Sequence, residues 1–309
     1  MKNKLILVLG AGAMGAAYAS RFYDFNPDCI AFVASGNRYD RLKKSGVIVN
    51  TKSYPINVLS PEDDGQKADL IIISLKHHHL VEALPQLRNF VGQNTVFLSI
   101  MNGLDSEPLI GAVYGKEKVL FATAVGIDAQ RDGNVINFSK NGTIFFGETN
   151  NAVLSKRVKD IQELFKIAGI NYQTPSDMMR IMWWKFMINV GINQASVILR
   201  APYGVFQTSR YAQQIMESAM REALLIAEAA GVNLVEGDIQ EWYTFLDSLD
   251  PQGKTSMLQD IEAGRKTEVD IFAGKIIAMG KRYSIPTPVN LLLYNAIKVI
   301  EDIADQKRS

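Results

Sequence analysis

Only one cysteine, Cys29, occurs in the 309 residues, so no intrachain disulfide can form, which fits a reducing, cytoplasmic compartment. Lys plus Arg (33) nearly cancels Asp plus Glu (32), leaving no broad basic field to neutralise a nucleic-acid backbone. Nucleic acid is therefore not expected as a partner. No segment offers the roughly 18 uninterrupted apolar residues that a membrane helix needs, so no membrane partner is expected either. The opening stretch MKNKLILVLGAGAMGA has the basic residues and small-residue end of a secretory leader. Its apolar run, Leu5–Leu9, is too short for one before Gly10. Histidine is confined to His77, His78 and His79. Consecutive side chains diverge by about 100° on a helix and alternate on a strand, so these three are read as solvated or cofactor-flanking, with no metal site.

What is present is ordinary globular composition, 47% hydrophobic and 21% charged, on a chain longer than one core usually supports. Two domains sharing a cleft are the expectation. The first half alternates β-rich runs with helical segments, the pattern of a doubly wound parallel sheet. Strands are predicted at Leu5–Leu9, Cys29–Val33, Leu70–Leu75, Thr95–Ile100 and Val119–Thr123. Leu70–Leu75 and Thr95–Ile100 are apolar almost throughout, as strands buried on both faces are. Asn134–Ser139 and Thr143–Phe146, separated by Lys140-Asn141-Gly142, predict a hairpin at the sheet edge. After the short β-like segment Asn171–Gln173 the texture becomes nearly all helical, with helix ends near Gly231 and Pro251. The expected domains are 1–175 and 176–309.

Gly10-Ala11-Gly12-Ala13-Met14-Gly15 follows the first strand and opens a helical segment, Ala16–Tyr23, the context of a dinucleotide-binding turn. Gly10 would allow the tight turn, Gly12 the approach of a pyrophosphate, and Gly15 the packing of helix on strand. The fold class expected is thus α/β, an N-terminal Rossmann domain with a C-terminal all-helical domain. An NAD site usually carries an acid about 20 residues further on. Here that place reads Ala34-Ser35-Gly36-Asn37-Arg38. Without an acid, Ser35 and Arg38 suit a 2′-phosphate and point to NADP(H). The alternative reading makes Arg38 and Arg41 solvated charges at a helix start.

The segment Ile181–Asn193 is apolar nearly all round, as a buried helix is, and three polar residues interrupt it. Lys185, Asn189 and Asn193 are spaced i, i+4, i+8 and form one stripe, drifting only about 40° per step. Buried, such groups need partners, so the stripe is expected to face a polar ligand. A lysine beside a ketone oxygen can polarise it and then protonate it. The bland alternative is a lysine that snorkels to the surface and asparagines that bond between helices. The pair Trp183-Trp184 is read as packing between helices.

The chain resembles the ketopantoate reductases (2-dehydropantoate 2-reductases) nearly end to end. The resemblance runs through GAGAMG, Leu75-Lys76, Asn102-Gly103, Arg131-Asp132-Gly133-Asn134-Val135, and Trp184-Lys185 with Asn189 and Asn193. It continues through Thr255-Ser256-Met257-Leu258-Gln259-Asp260 and Thr267-Glu268-Val269-Asp270. It implies NADPH-dependent reduction of ketopantoate to pantoate, a step toward pantothenate and coenzyme A. Lys185 is implied as proton donor, with Glu268 acting at the cofactor's nicotinamide end. Asn189, Asn193 and Ser256 are implied as substrate ligands, with Asn102 shared between substrate and cofactor. Lys76 and Ala129 are implied as further cofactor contacts. Two positions depart from the pattern: Tyr203 stands where some members have a third substrate-binding Asn, and Gly253 replaces another polar residue. The partner is thus expected to be a small 2-keto acid, with another branched 2-keto acid as the alternative substrate and a homodimer left open. A non-catalytic NADP-binding redox sensor is the competing class, but a sensor needs no buried Lys-Asn-Asn stripe. Ser256 and Glu268 are expected on one helical stretch broken near Gly264.

Overall fold

The computed structural model describes residues 4–306, so Lys2 of the leader-like stretch lies outside the described residues. The chain divides into two compact units, Met1–Ile181 and Met182–Ser309. The division falls inside the helix Met178–Ile188, a little beyond the change of sequence texture at Pro175.

The strands of the first unit are β1 (Ile6–Leu9), β2 (Ile30–Val33), β3 (Val47–Val49), β4 (Lys52–Tyr54), β5 (Asn57–Leu59), β6 (Leu70–Ile73), β7 (Val96–Ser99), β8 (Val119–Ile127), β9 (Gln130–Asp132), β10 (Val135–Asn137), β11 (Asn141–Gly147) and β12 (Tyr172–Gln173). Eight of them form one sheet in the order β12-β11-β8-β7-β6-β1-β2-β5. Within it β5, β2, β1, β6, β7 and β8 run parallel, while β11 is antiparallel to β8. The unbroken apolar runs have a simple cause: alternate residues feed opposite faces. Ile6, Val8, Ile30, Phe32, Leu70 and Ile72 enter the core on one side. Leu7, Leu9, Ala31, Val33, Ile71 and Ile73 enter the core on the other. Each such Leu, Ile or Val contributes about 1.5–3 kcal/mol by leaving water, so both faces of the sheet carry core.

The predicted hairpin does not form. β10 and β11 belong to different sheets: β11 extends the large sheet against β8 and β12, whereas β10 pairs with β9 and β3 in a four-stranded sheet ordered β4-β3-β10-β9. The tight turn lies one step earlier. Asp132 pairs with Val135, and Gly133, at φ +59°, leads the two-residue loop with Asn134. A glycine with positive φ at that position matches the right-handed twist of the flanking strands.

The second unit is helical, with helices Gln194–Leu199, Tyr203–Thr208, Arg210–Ala229, Glu236–Asp247, Ser256–Glu262, Ala273–Tyr283 and Pro288–Gln306. The helix Arg210–Ala229 stops at Gly231, at φ +77°, where Val232 N–H reaches back to the Ala227 carbonyl. Buried Glu222 caps the helix Pro288–Gln306, its carboxylate accepting from Val289 N–H (2.7 Å) and Asn290 N–H (2.9 Å). The fold is α/β, a doubly wound parallel sheet followed by a helical unit. No helix among the described residues is long and apolar enough to cross a membrane.

Candidate functional site

In the first unit, β1 lies between β2 and β6, where the strand order reverses, and its carboxyl end runs straight into Gly10. Gly10, at φ +109°, has no room for a side chain: a Cβ would lie 2.2 Å from the Ser74 carbonyl oxygen. A Cβ on Gly15 would lie 1.9 Å from the Gly10 carbonyl oxygen, so only glycine lets the helix Ala13–Phe25 start this close to the strand. Gly12 differs from both. Its backbone is extended, and the nearest chain atom to a Cβ there is Ser74 O at 3.9 Å. Nothing in the protein's own packing requires a glycine at this position. The open space lies at a helix N-terminus whose first turn holds no acid, the setting in which backbone N–H groups meet an anion.

The other sequence-assigned cofactor residues of this unit follow the carboxyl ends of parallel strands. Ser35 and Arg38 come after β2, Lys76 after β6, Asn102 after β7 and Ala129 after β8. Ser35 occupies the N-cap of the helix Gly36–Ser45, yet its hydroxyl makes no cap hydrogen bond. Arg38 is exposed and has no hydrogen bond or ion pair with the described residues. Ala129 packs against the same core cluster as Ala13 and Met14. His77–His79 form a 3-10 turn directly after Lys76, with His78 and His79 exposed. Among the described residues, no group of three His, Cys, Asp or Glu is arranged to hold a metal.

In the second unit, Lys185, Asn189 and Asn193 rise along one helix, but not a regular one. Asn189–Asn193 form a π-helical turn between the helices Met178–Ile188 and Gln194–Leu199. The wider turn sets back the drift expected of an α-helix, and Asn193 Nδ2 donates to Asn189 Oδ1 at 2.9 Å. Asn189 and Asn193 are buried. Asn193 Oδ1 faces the start of the helix Ser256–Glu262, accepting from Met257 N–H (3.3 Å) and Ser256 Oγ (3.4 Å). Thr255 caps that helix through Leu258 N–H and shares a 2.6 Å hydrogen bond with Ser196 Oγ. Lys185 is half-buried, and its ammonium has no hydrogen bond or ion pair with the described residues. Burial pulls its pKa down to about 8. The structure thus brings Asn189, Asn193 and Ser256 into one network one helical turn along from an unpaired lysine.

Glu268 is buried but is not on the helix of Ser256. That helix ends at Glu262, the chain turns at Gly264 (φ +63°), and Glu268 stands at the N-cap of a 3-10 turn, Val269–Ile271. Neighbouring Thr267 is tied through its N–H and hydroxyl to Glu301 Oε1. The expected single helical stretch is replaced by two elements and a turn. Tyr203 and Gly253 meet directly, Tyr203 N–H donating to the Gly253 carbonyl at 2.9 Å. Trp184 packs edge-on against Phe245, and Trp183 against Phe186. Arg131, in the Arg131-Asp132-Gly133-Asn134-Val135 run, makes a contact that its sequence neighbours do not signal. Its Nη1 donates to the Ala11 carbonyl of the glycine turn at 3.0 Å.

The chain is 26% identical over 302 residues to a 2-dehydropantoate 2-reductase of Pyrococcus horikoshii, covering 96% of this chain and 98% of that protein. Among solved structures, a 2-dehydropantoate 2-reductase from Geobacter metallireducens matches with a TM-score of 0.84 at 23% identity, over 95% of this chain and 99% of the other. A D-mandelate dehydrogenase, solved with NADH and anilino(oxo)acetate, matches with a TM-score of 0.87 at 20% identity, over 97% and 100%. These two likenesses establish the fold. Residues 6–151 match the family model "Ketopantoate reductase PanE/ApbA" and residues 177–301 its C-terminal counterpart, so the chain belongs to the ketopantoate reductase family.

Proposed function

We propose that the protein is an NADPH-dependent reductase of 2-dehydropantoate, forming pantoate for pantothenate biosynthesis, with Lys185 as proton donor. The carrying observation is the Lys185 ammonium, pulled by burial toward a pKa of about 8 and unpaired, beside the Asn189–Asn193–Ser256 network. A cation drawn partly out of water and left without a partner is costly in a folded protein and is retained where a ligand completes it.

The open space at Gly12 and the acid-free helix start fit a nicotinamide dinucleotide, with Gly10, Ala11, Gly12, Ala13, Met14 and Gly15 forming the pyrophosphate turn. Ser35, with its uncommitted hydroxyl, and unpaired Arg38 suit the 2′-phosphate. Lys76, Asn102, Ala129 and Glu268 are assigned to its nicotinamide end. The cofactor, when bound, supplies the hydride. Lys185 donates a hydrogen bond to the keto oxygen, stabilises the charge developing there and transfers its proton to that oxygen, leaving a neutral amine that solvent reprotonates. A pKa near 8 suits this work, since the group is charged at neutral pH yet releases its proton readily. Asn189, Asn193 and Ser256, supported by Asn102, orient the hydroxyl and carboxylate of the substrate.

The Tyr203–Gly253 pair favours a second reading of the substrate alone, another small branched 2-keto acid, since it replaces polar groups by a ring. The test is NADPH oxidation with a panel of 2-keto acids that includes ketopantoate. Ketopantoate should give the highest kcat/KM. Failure of every keto acid would overturn the reductase reading, and equal affinity for NADPH and NADH would overturn the 2′-phosphate assignment.

A further inference from the structure

The hairpin of β9 and β10 stands apart from the large sheet, yet it returns to the dinucleotide turn. Ile136, fully buried in β10, packs into the core cluster that contains Ala11, with Met14 packed alongside. Arg131 in β9 is the cross-strand partner of Ile136. Directly paired residues project from the same face of a sheet, so Arg131 lies on the face of the hairpin that Ile136 turns toward the core. Its guanidinium bridges two carbonyls far apart in sequence. Nε donates to Gly133 O in its own hairpin loop at 2.7 Å, and Nη1 to Ala11 O at 3.0 Å.

A carbonyl oxygen in a turn that receives an anion is a liability, because its partial negative charge opposes the ligand. A guanidinium bonded to that oxygen offsets its partial charge, fixes the peptide planes on either side, and places a cationic group beside the turn. The open space at Gly12 follows immediately in sequence.

We propose that Arg131 is a positioning residue for the cofactor's pyrophosphate: by holding the Ala11 carbonyl it aims the turn's N–H donors and supplies charge next to the phosphates. This rests on the reading of the glycine turn as a nicotinamide dinucleotide site.

The experiment measures dissociation constants of the full chain and its Arg131→Gln variant for two ligands, NADP+ and adenosine 2′-monophosphate, which lacks the pyrophosphate. Loss of a charge-assisted contact should weaken NADP+ roughly tenfold or more and change adenosine 2′-monophosphate by less than about twofold. Arg131→Lys, which keeps the charge but not the fork, should fall between. It also provides the reading if the glutamine variant does not fold, as judged by its melting curve. Equal weakening of both ligands would make Arg131 a structural residue only and overturn the proposal. Unchanged NADP+ affinity would overturn it as well. A parent protein that binds no dinucleotide would instead overturn the reading of the turn, which separates the two failures.

Discussion

Gly253 carries no side chain because the Tyr203 ring fills the space: a Cβ there would lie 3.0 Å from Tyr203 Cδ2 and 3.0 Å from the Asp250 carbonyl oxygen. The two departures from the family pattern are therefore one structural change. The main chain reinforces it, with Tyr203 N–H on Gly253 O and Gly204 N–H on Pro251 O. The phenol makes no hydrogen bond with the described residues, and burial pushes its pKa up to about 12.

Gly253→Ala should overpack this contact and destabilise the protein by about 1–3 kcal/mol. In a Tyr203→Ala background the same substitution should cost less, with a coupling of at least about 0.5 kcal/mol. Denaturant titration of the two single variants and the double variant measures it. Strict additivity would show that ring and glycine do not interact.

Lys185 carries both a kinetic and a stability prediction. Lys185→Ala should lower turnover by ~10²-fold or more, as for loss of a positioned acid, with NADPH affinity nearly unchanged. In the parent protein, turnover should fall as pH rises through about 8, where the ammonium loses its proton. The stability sign follows from the same shift. Folding depresses this pKa, so the folded state disfavours the charged lysine at neutral pH, and the penalty fades between about 8 and the ordinary value of 10.5. Lys185→Met should therefore raise the melting temperature at pH 7, and by less at pH 10. A variant with full turnover would assign the proton to another group.

Ser256 tests the substrate network. Its hydroxyl reaches Asn193 Oδ1, which already accepts from Met257 N–H, so Ser256→Ala leaves the helix start and Asn193 in place. The KM for the keto acid should rise by a factor corresponding to ~1.5–3 kcal/mol, with the NADPH constant unaffected. Steady-state titration of each substrate at saturation of the other decides it. A rise in the NADPH constant alone would move Ser256 to the cofactor.

The large sheet was legible because its strands are buried on both faces, which leaves short apolar β-branched runs such as Leu70–Ile73 between turn and helix signals. The glycine turn was legible because Gly10 and Gly15 answer to local steric demands that sequence alone carries. The β10–β11 hairpin was misread because a strand's partner depends on distant segments: β3, three residues long, pairs with β10 from far upstream. The π-turn at Asn189–Asn193 left no mark in the apolar pattern, since its wider turn keeps the asparagines on the same face as Lys185. Arg131 was invisible as a contact because its partner, Ala11, lies 120 residues away.

Glu107 stands at the start of the helix Ser106–Tyr114, where charge and burial oppose each other. The positive end of the helix favours a carboxylate there. Burial wins: the side chain is only 4% exposed, and desolvation pushes its pKa up to about 7, with Ser106 and backbone donors only partly offsetting it. Its oxygens are unequally served. Oε2 accepts from Ser106 Oγ at 2.8 Å, and Ser99 Oγ donates to Ser106 Oγ at 2.8 Å, while Oε1 has no hydrogen-bond partner. A folded-state pKa above the unfolded value means that the folded protein holds this proton more tightly. The resulting stability is fully present below about 4.5 and is lost as pH rises through about 7. The shift corresponds to on the order of 3 kcal/mol between those limits. Glu107→Gln, similar in shape but unable to ionise, should remove this dependence. Unfolding free energies of parent and variant, measured from pH 4.5 to 8, should diverge as pH rises, with the variant the more stable at pH 8. Parallel curves would show that the carboxyl titrates at its ordinary pKa in the folded protein and that its burial is relieved by solvent.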